Sequence, residues 1–230
     1  MKEAIILAGG LGTRLRSAVP DLPKCMAPVS GRPFLAHVVD YLLAEGVYRL
    51  VLSLGYKHEV IEAYMKRVYS ILDFVCVVEK EPLGTGGAIR EACKAAEEAQ
   101  VLVANGDTLF QVDIPALSAF HKERGALATL ALKPMQDFDR YGVVDVEPGG
   151  RIIGFEEKKP RTSGLINGGV YGLSVKEYLA EAPAGTFSFE KDFLEPRVSG
   201  GRLYGYTDDA YFIDIGIPAD YERAQKDLLL

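Results

Sequence analysis

Cysteine is scarce in this chain of 230 residues: only Cys25, Cys76 and Cys93 occur. An odd number cannot close fully into internal disulfides, and the spacing is not that of paired metal ligands, which predicts a reducing compartment. Histidine is equally scarce. His37, His58 and His121 have no spacing or partners that suggest a metal site or a catalytic triad, so all three read as surface or core-edge residues. An excess of positive charge is also missing, with 26 Lys and Arg against 32 Asp and Glu and a net charge of −6. No general basic field exists to draw nucleic acid or anionic lipid, and any anion must be bound by local cations. No apolar stretch approaches the roughly 20 residues that span a bilayer. The chain passes from Met1-Lys2-Glu3 directly into a strand pattern, which leaves no room for a signal peptide. Together these absences predict a soluble cytoplasmic protein with neither nucleic acid nor membrane as partner. Repeats and low-complexity segments are missing too, which excludes a β-helical domain of hexapeptide repeats.

What is present is enough apolar content, 48%, to bury one good core in a single α/β domain. Apolar runs at Ala4 to Ala8, Arg49 to Leu54, Phe74 to Val78 and Val101 to Asn105 read as strands buried on both faces. Helical patterns lie between them at Pro33 to Glu45, His58 to Val68 and Gly86 to Glu98. This alternation predicts βαβ units and a Rossmann-like mixed, mainly parallel sheet with helices on both faces. From about Ala126 the runs are shorter and alternating: Ala126 to Leu132, Tyr141 to Val146, Arg151 to Glu157 and Leu165 to Leu173. The expected organisation is therefore one domain over 1–230, with residues 1–125 forming a nucleotide-binding half and 126–230 a more antiparallel half for a second substrate.

The segment Leu7-Ala8-Gly9-Gly10-Leu11-Gly12-Thr13-Arg14-Leu15, followed by Pro23-Lys24, carries the chemistry. Its glycines let the backbone turn sharply and bring N–H groups close to an anion. Arg14 offers a planar donor fork to phosphate oxygens, and Lys24 offers a compact point charge. Two familiar phosphate loops do not fit. A dinucleotide fingerprint needs a third glycine where Leu15 stands, and a P-loop needs Gly-Lys-Ser or Gly-Lys-Thr where this chain has Gly12-Thr13-Arg14.

The run Gly-Gly-x-Gly-x-Arg-Leu with a following Pro-Lys resembles the signature of the sugar-1-phosphate nucleotidyltransferases, whose fold is of the nucleotide-diphospho-sugar transferase type. The resemblance implies that a nucleoside triphosphate and a sugar 1-phosphate give a nucleotide sugar and pyrophosphate. It assigns triphosphate binding to Leu7, Ala8, Gly9, Gly10, Gly12, Thr13 and Arg14, and charge stabilisation at the α-phosphate to Lys24. Cys25 departs from the proline common after that lysine.

Further residues follow along the chain. Asp107, in Asn105-Gly106-Asp107, lies just past the end of a buried strand, where ligands of open α/β sheets bind, and suits a Mg²⁺ ligand. Asp214 sits in the apolar run Tyr211 to Pro218, where a carboxylate needs a cation or several donors: an ion pair and a cap for the last helix are both open. The resemblance makes it the second magnesium carboxylate, so the catalytic set is Lys24, Arg14 and Asp107, and the metal set Asp107 and Asp214.

Glu81-Pro82-Leu83-Gly84-Thr85-Gly86-Gly87 is similar to the base-and-ribose segment of the guanylyltransferase branch, placing Gly84 and Thr85 at the nucleotide. Read without the resemblance, it is a helix-entry turn with a Thr cap. Glu79 and Glu81 bear on the base, because a carboxylate accepts both N–H donors of a guanine edge. Phe155-Glu156-Glu157-Lys158-Lys159 is similar to the Glu-Lys motif that holds the sugar and its phosphate, giving Glu157 and Lys158, with Lys159 a departure from the pattern. Tyr141-Gly142 and Asn167-Gly168-Gly169 are similar to sugar-contacting segments, adding Gly142 and Asn167; a β-bulge is the competing account of the paired glycines.

The resemblance is greatest to the D-glycero-α-D-manno-heptose 1-phosphate guanylyltransferases. It implies GTP and that sugar phosphate as substrates, Mg²⁺ as cofactor and a role in making bacterial surface polysaccharide, and it leaves a homo-oligomer open. The alternatives are a mannose or glucose 1-phosphate enzyme using GTP, dTTP, UTP or CTP, and a non-catalytic subunit that senses nucleotide sugars.

Overall fold

The computed structural model describes residues 1–10, 15 and 19–229. Its elements begin with β1 (Glu3–Ala8), a short hairpin of β2 (Pro28–Val29) and β3 (Arg32–Pro33), α1 (Phe34–Ala44), β4 (Arg49–Leu54), α2 (His58–Val68), β5 (Asp73–Val78), α3 (Gly84–Cys93) and β6 (Gln100–Asn105). The four apolar runs form the parallel array β5-β4-β1-β6, in register from Ala4 opposite Leu50 and Leu102. Because successive side chains on a strand point to opposite faces, β1 serves two cores. Ala4, Ile6 and Ala8 meet α1 and α2 through Val38, Leu42, Ile61 and Met65, whereas Ile5 meets α3 through Ile89 and Ala92. Helices thus cover both faces, as the alternation of patterns predicts.

Helix α3 stops at Cys93, short of the expected Glu98. The buried Glu3 carboxylate explains the early stop: it accepts the backbone N–H groups of Glu97 and Glu98, at 2.9 and 2.8 Å, and draws the chain out of the helix.

The remaining elements are β7 (Thr108–Phe110), α4 (Ile114–Arg124), β8 (Ala128–Phe138), β9 (Val143–Val146), β10 (Ile152–Glu156), β11 (Arg161–Ser174) and α5 (Val175–Glu181), then β12 (Leu203–Thr207), β13 (Phe212–Asp214) and α6 (Pro218–Asp227). A π-helical turn, Phe189–Leu194, and a 3-10 turn, Glu195–Gly200, lie between α5 and β12. β11 runs antiparallel to β6 and to β8 and β9, and so joins the antiparallel strands to the parallel array in one nine-stranded sheet. The chain after residue 126 is not confined to that region. β13 returns to pair antiparallel with β7, setting Asp214 opposite Thr108.

One histidine differs from expectation. His121 is fully buried, because α4 turns Ile114, Leu117 and His121 inward together. Burial is tolerated because both ring nitrogens have partners, Thr129 Oγ1 at 2.9 Å and Ser174 Oγ at 3.1 Å.

Candidate functional site

The carboxyl ends of β1, β4, β5 and β6 open onto a cavity of about 240 Å³ lined by Leu7, Gly9, Gly10, Ser53, Glu79, Thr85, Ala88, Asn105 and Asp107. Two close approaches shape it. A Cβ on Gly9 would stand 2.9 Å from Glu79 Oε1, so only glycine leaves that carboxylate its place; Gly10 faces open space. Gly106 donates its N–H to the Leu7 carbonyl at 2.9 Å, which turns the chain past the end of β6 and presents Asp107.

Lys24 enters from the side. Pro23 starts the 3-10 turn Lys24–Met26, and the buried Cys25 and Met26 anchor it beneath the lysine. The Lys24 ammonium is ion-paired with Asp107 and lies 3.4 Å from Asp214 Oδ1. Asp214 Oδ1 also accepts the Gly216 N–H at 2.7 Å, and Ile215 donates to the Asp107 carbonyl at 3.1 Å. Helix α6 begins without any side-chain cap, so the Gly216 N–H and the Lys24 ion pair, not a cap of α6, satisfy Asp214. Tyr141 packs edge-on to Phe212 at 5.9 Å; burial and then the Asp214 charge raise its hydroxyl pKa.

A second cavity, about 160 Å³, lies between β9, β10, β11 and the π-helical turn and is lined by Gly142, Glu156, Glu157, Lys158, Asn167, Glu190 and Lys191 among others. Of the paired motif residues, Glu156 is held by Lys159 and Arg161, while Glu157 lies 3.3 Å from Lys191 and Lys158 has no partner among the described residues. A bulge in β11 links the linings of the two cavities. Asn167 faces Leu132 and Tyr171 faces Leu130, so four steps on β11 match two on β8. The bulge seats Gly168 against the Phe110 ring and Gly169, at φ +72°, against the Asn105 amide. Asn105 lines the first cavity and Asn167 the second.

Residues 3–229 match the nucleotidyl transferase family. The chain belongs to that family. It is 49% identical over 226 residues to a D-glycero-α-D-manno-heptose 1-phosphate guanylyltransferase of Aneurinibacillus thermoaerophilus, covering 98% of each chain. It is 44% identical over 219 residues to the enzyme of the same name from Campylobacter jejuni, covering 95% of this chain and 96% of that one. Among solved structures it is similar to HddC from Yersinia pseudotuberculosis complexed with GMP-PN, at 39% identity and a TM-score of 0.87, covering 99% of both chains.

Against this nucleotidyltransferase frame, all the residues expected from sequence except Ala8, Glu81 and Gly84 fall into three groups. Leu7, Gly9, Gly10, Glu79, Thr85 and Asp107 line the first cavity, with Lys24 and Asp214 joined to it through Asp107. Gly142, Glu157, Lys158 and Asn167 line the second. Gly12, Thr13 and Arg14 lie outside the described residues.

Other placements have local reasons. Ala8 is buried at the end of β1. Gly84, at φ +68°, is pressed against residue 187: a Cβ there would meet the Phe187 carbonyl oxygen at 2.5 Å. Thr85 does not cap α3; its Oγ1 accepts the Phe189 N–H at 2.9 Å. Glu79 accepts the Leu83 N–H at 2.9 Å, and Glu81 is exposed outside the lining. Burial pushes the Cys25 thiol up to about 12, with the Asp107 charge adding to it, so it stays protonated beside the lysine. Sequence reasoning missed Ser53, Asn105, Glu190 and Lys191. For Asn105 the signal was its place one residue before Gly106-Asp107; Glu190-Lys191-Asp192 reads as an ordinary charged surface.

No helix of the described residues is long and apolar enough to cross a membrane.

Proposed function

We propose that the chain joins GTP to D-glycero-α-D-manno-heptose 1-phosphate, giving the GDP-sugar and pyrophosphate. The observation that carries this reading is the near-full-length match to two heptose 1-phosphate guanylyltransferases, on a chain whose Lys24, Asp107 and Asp214 converge. A sugar-phosphate oxygen attacks the α-phosphorus of GTP. The new O–P bond forms as the bond to the β-phosphate oxygen breaks, and pyrophosphate leaves with that electron pair. No base is required, because a phosphate monoester with a second pKa of about 6 is already ionised at neutral pH. What the protein must supply is position and positive charge for two anions.

The first cavity takes the triphosphate, with Gly9 and Gly10 offering backbone approach and Lys24 offering charge at the α-phosphate. Glu79 at its wall presents a carboxylate to guanine. The second cavity takes the sugar phosphate, with Lys158 at the phosphate and Glu157 and Asn167 at hydroxyls. Residues 1–125 thus serve chiefly the nucleotide and 126–230 the sugar, with Asp214 crossing back. Asp107 and Asp214 fit Mg²⁺: they are paired, partly exposed, hard oxygen donors that already hold one cation, the Lys24 ammonium. When bound, Mg²⁺ would neutralise triphosphate charge.

Pyrophosphate release is the test, measured for GTP, dTTP, UTP and CTP, each crossed with heptose, mannose and glucose 1-phosphates. GTP with the heptose phosphate should give the highest kcat/KM. A higher value for another pair would replace the substrate assignment, and no release with any pair would make the chain a non-catalytic binder.

A further inference from the structure

Glu190 stands on the π-helical turn, a conformation rare in proteins and frequent at functional sites. One of its carboxylate oxygens, Oε1, accepts from Asn167 Nδ2 at 2.6 Å and from the buried Tyr171 hydroxyl at 3.3 Å. Tyr171 in turn accepts from the same Asn167 amide nitrogen at 2.9 Å. The Gly169 N–H donates to Asn167 Oδ1 at 3.0 Å, which fixes which way the amide faces. Both amide hydrogens of Asn167 are therefore spent within the protein, and the residue can offer a ligand only a lone pair. Glu190 Oε2 has no partner among the described residues, in a cavity that also holds Glu157 and the cations Lys158 and Lys191. The wall is rich in acceptors, with charge for a phosphate at its side, and it suits a polyhydroxyl donor.

We propose that Glu190 accepts a hydrogen bond from a hydroxyl of the sugar 1-phosphate and determines which sugar is taken. This rests on reading the second cavity as the sugar-phosphate site. The segment carrying Glu190 is fixed from its other side: Phe187 exchanges backbone hydrogen bonds with Leu83 and Gly86, each 3.0 Å, and Phe189 donates to Thr85. Glu190 is thus presented by a rigid support, which is what selection among sugars that differ by one hydroxyl requires.

Glu190→Gln separates contact from scaffolding, because glutamine can still accept from Asn167 and Tyr171 through its carbonyl oxygen, whereas its amide nitrogen cannot accept from a sugar. Loss of a hydrogen bond to a charged acceptor should raise KM for the sugar 1-phosphate about tenfold to a hundredfold. The KM for GTP and the melting temperature should be unchanged. One monodeoxy sugar 1-phosphate should be used equally well by the wild type and E190Q, identifying the hydroxyl. Unchanged sugar KM in E190Q overturns the assignment, as does an equal rise in both KM values or a lowered melting temperature, each of which marks a scaffolding residue. Lys158→Ala distinguishes the two failures: a raised sugar KM there with a normal E190Q leaves the cavity's role standing and removes Glu190 alone. Unchanged sugar KM in both variants removes the cavity's role and this inference together.

Discussion

Gly216 and Lys24 are packed so closely that a Cβ on Gly216 would stand 3.2 Å from the lysine ammonium. The lysine occupies a slot walled by Asp107, Asp214 and that glycine. Lys24→Ala should lower kcat about a hundredfold or more, the usual scale for removing one electrostatic contact to the transition state. GTP affinity, measured by calorimetry, should fall much less. Lys24→Arg should not restore turnover, because the wider planar guanidinium does not fit a slot shaped for a point charge. Turnover close to wild type in either variant would remove Lys24 from the chemistry.

The two described glycines of the loop should respond differently to a methyl group. Gly10→Ala meets nothing within 4 Å, so its melting temperature should stay at the wild-type value while GTP binding weakens about tenfold through blocked phosphate approach. Gly9→Ala meets Glu79 Oε1 at 2.9 Å and the Gly55 backbone nitrogen at 3.3 Å, so it should lose stability as well as binding. Equal stability loss in both variants, read by thermal melts, would contradict this division.

The parallel core was legible because strands buried on both faces leave unbroken apolar runs, and β4 and α2 fall on the expected residues. The strands that assemble the charged centre were not. β7 and β13 have three residues each, too short to show a period, and they pair across about a hundred residues of chain. Asp214 stood out in sequence only as a charge in an apolar setting; its register opposite Thr108 needed the fold. His121 was misjudged for a related reason, since its hydroxyl partners Thr129 and Ser174 lie on two different strands. Lys158 and Lys159 were distinguished only by the turn after β10, which sends Lys159 back to Glu156 at 3.0 Å.

His121 should make the fold sensitive to acid. Burial, with the N-terminal ammonium adding to it, lowers its pKa from the usual 6.5 to about 4. The folded protein therefore keeps the ring neutral where the unfolded chain binds a proton. The stability this represents is fully present above pH 6.5 and is lost as pH falls towards 4, on the order of 3 kcal/mol in all. Urea unfolding at pH 7 and pH 5 should show the loss, and His121→Gln should reduce it. An identical pH dependence in the variant would assign the effect to other groups.

At the opposite end of the strands, Glu3 and Arg49 form a buried ion pair, with the Arg49 guanidinium also donating to the Ala95 carbonyl at 3.2 Å. Removing one member leaves an uncompensated charge beneath the sheet. Arg49→Ala should cost about 3–5 kcal/mol in urea unfolding. Because the pair is remote from both cavities, the variant that remains folded at low temperature should keep the wild-type KM for GTP. A raised KM would mean that this end of the sheet is coupled to the cleft.

The hydrogen bonds that fasten residues 187 and 189 to Leu83, Thr85 and Gly86 bear on how such an enzyme can be recombined. With Glu190 as a sugar contact, exchanging the residues after 126 between relatives should not by itself carry sugar choice across, because residues 187 and 189 are seated on 83–86. A graft of β9 to β11 alone would bring new residues at 142, 157 and 167 but leave the 190 position fastened to the host's Leu83, Thr85 and Gly86. The unit to transplant would then be three-part, comprising β9 to β11, the stretch from 185 to 195 and its seat at 82–87, and chimeras that divide it should inherit neither parent's selectivity.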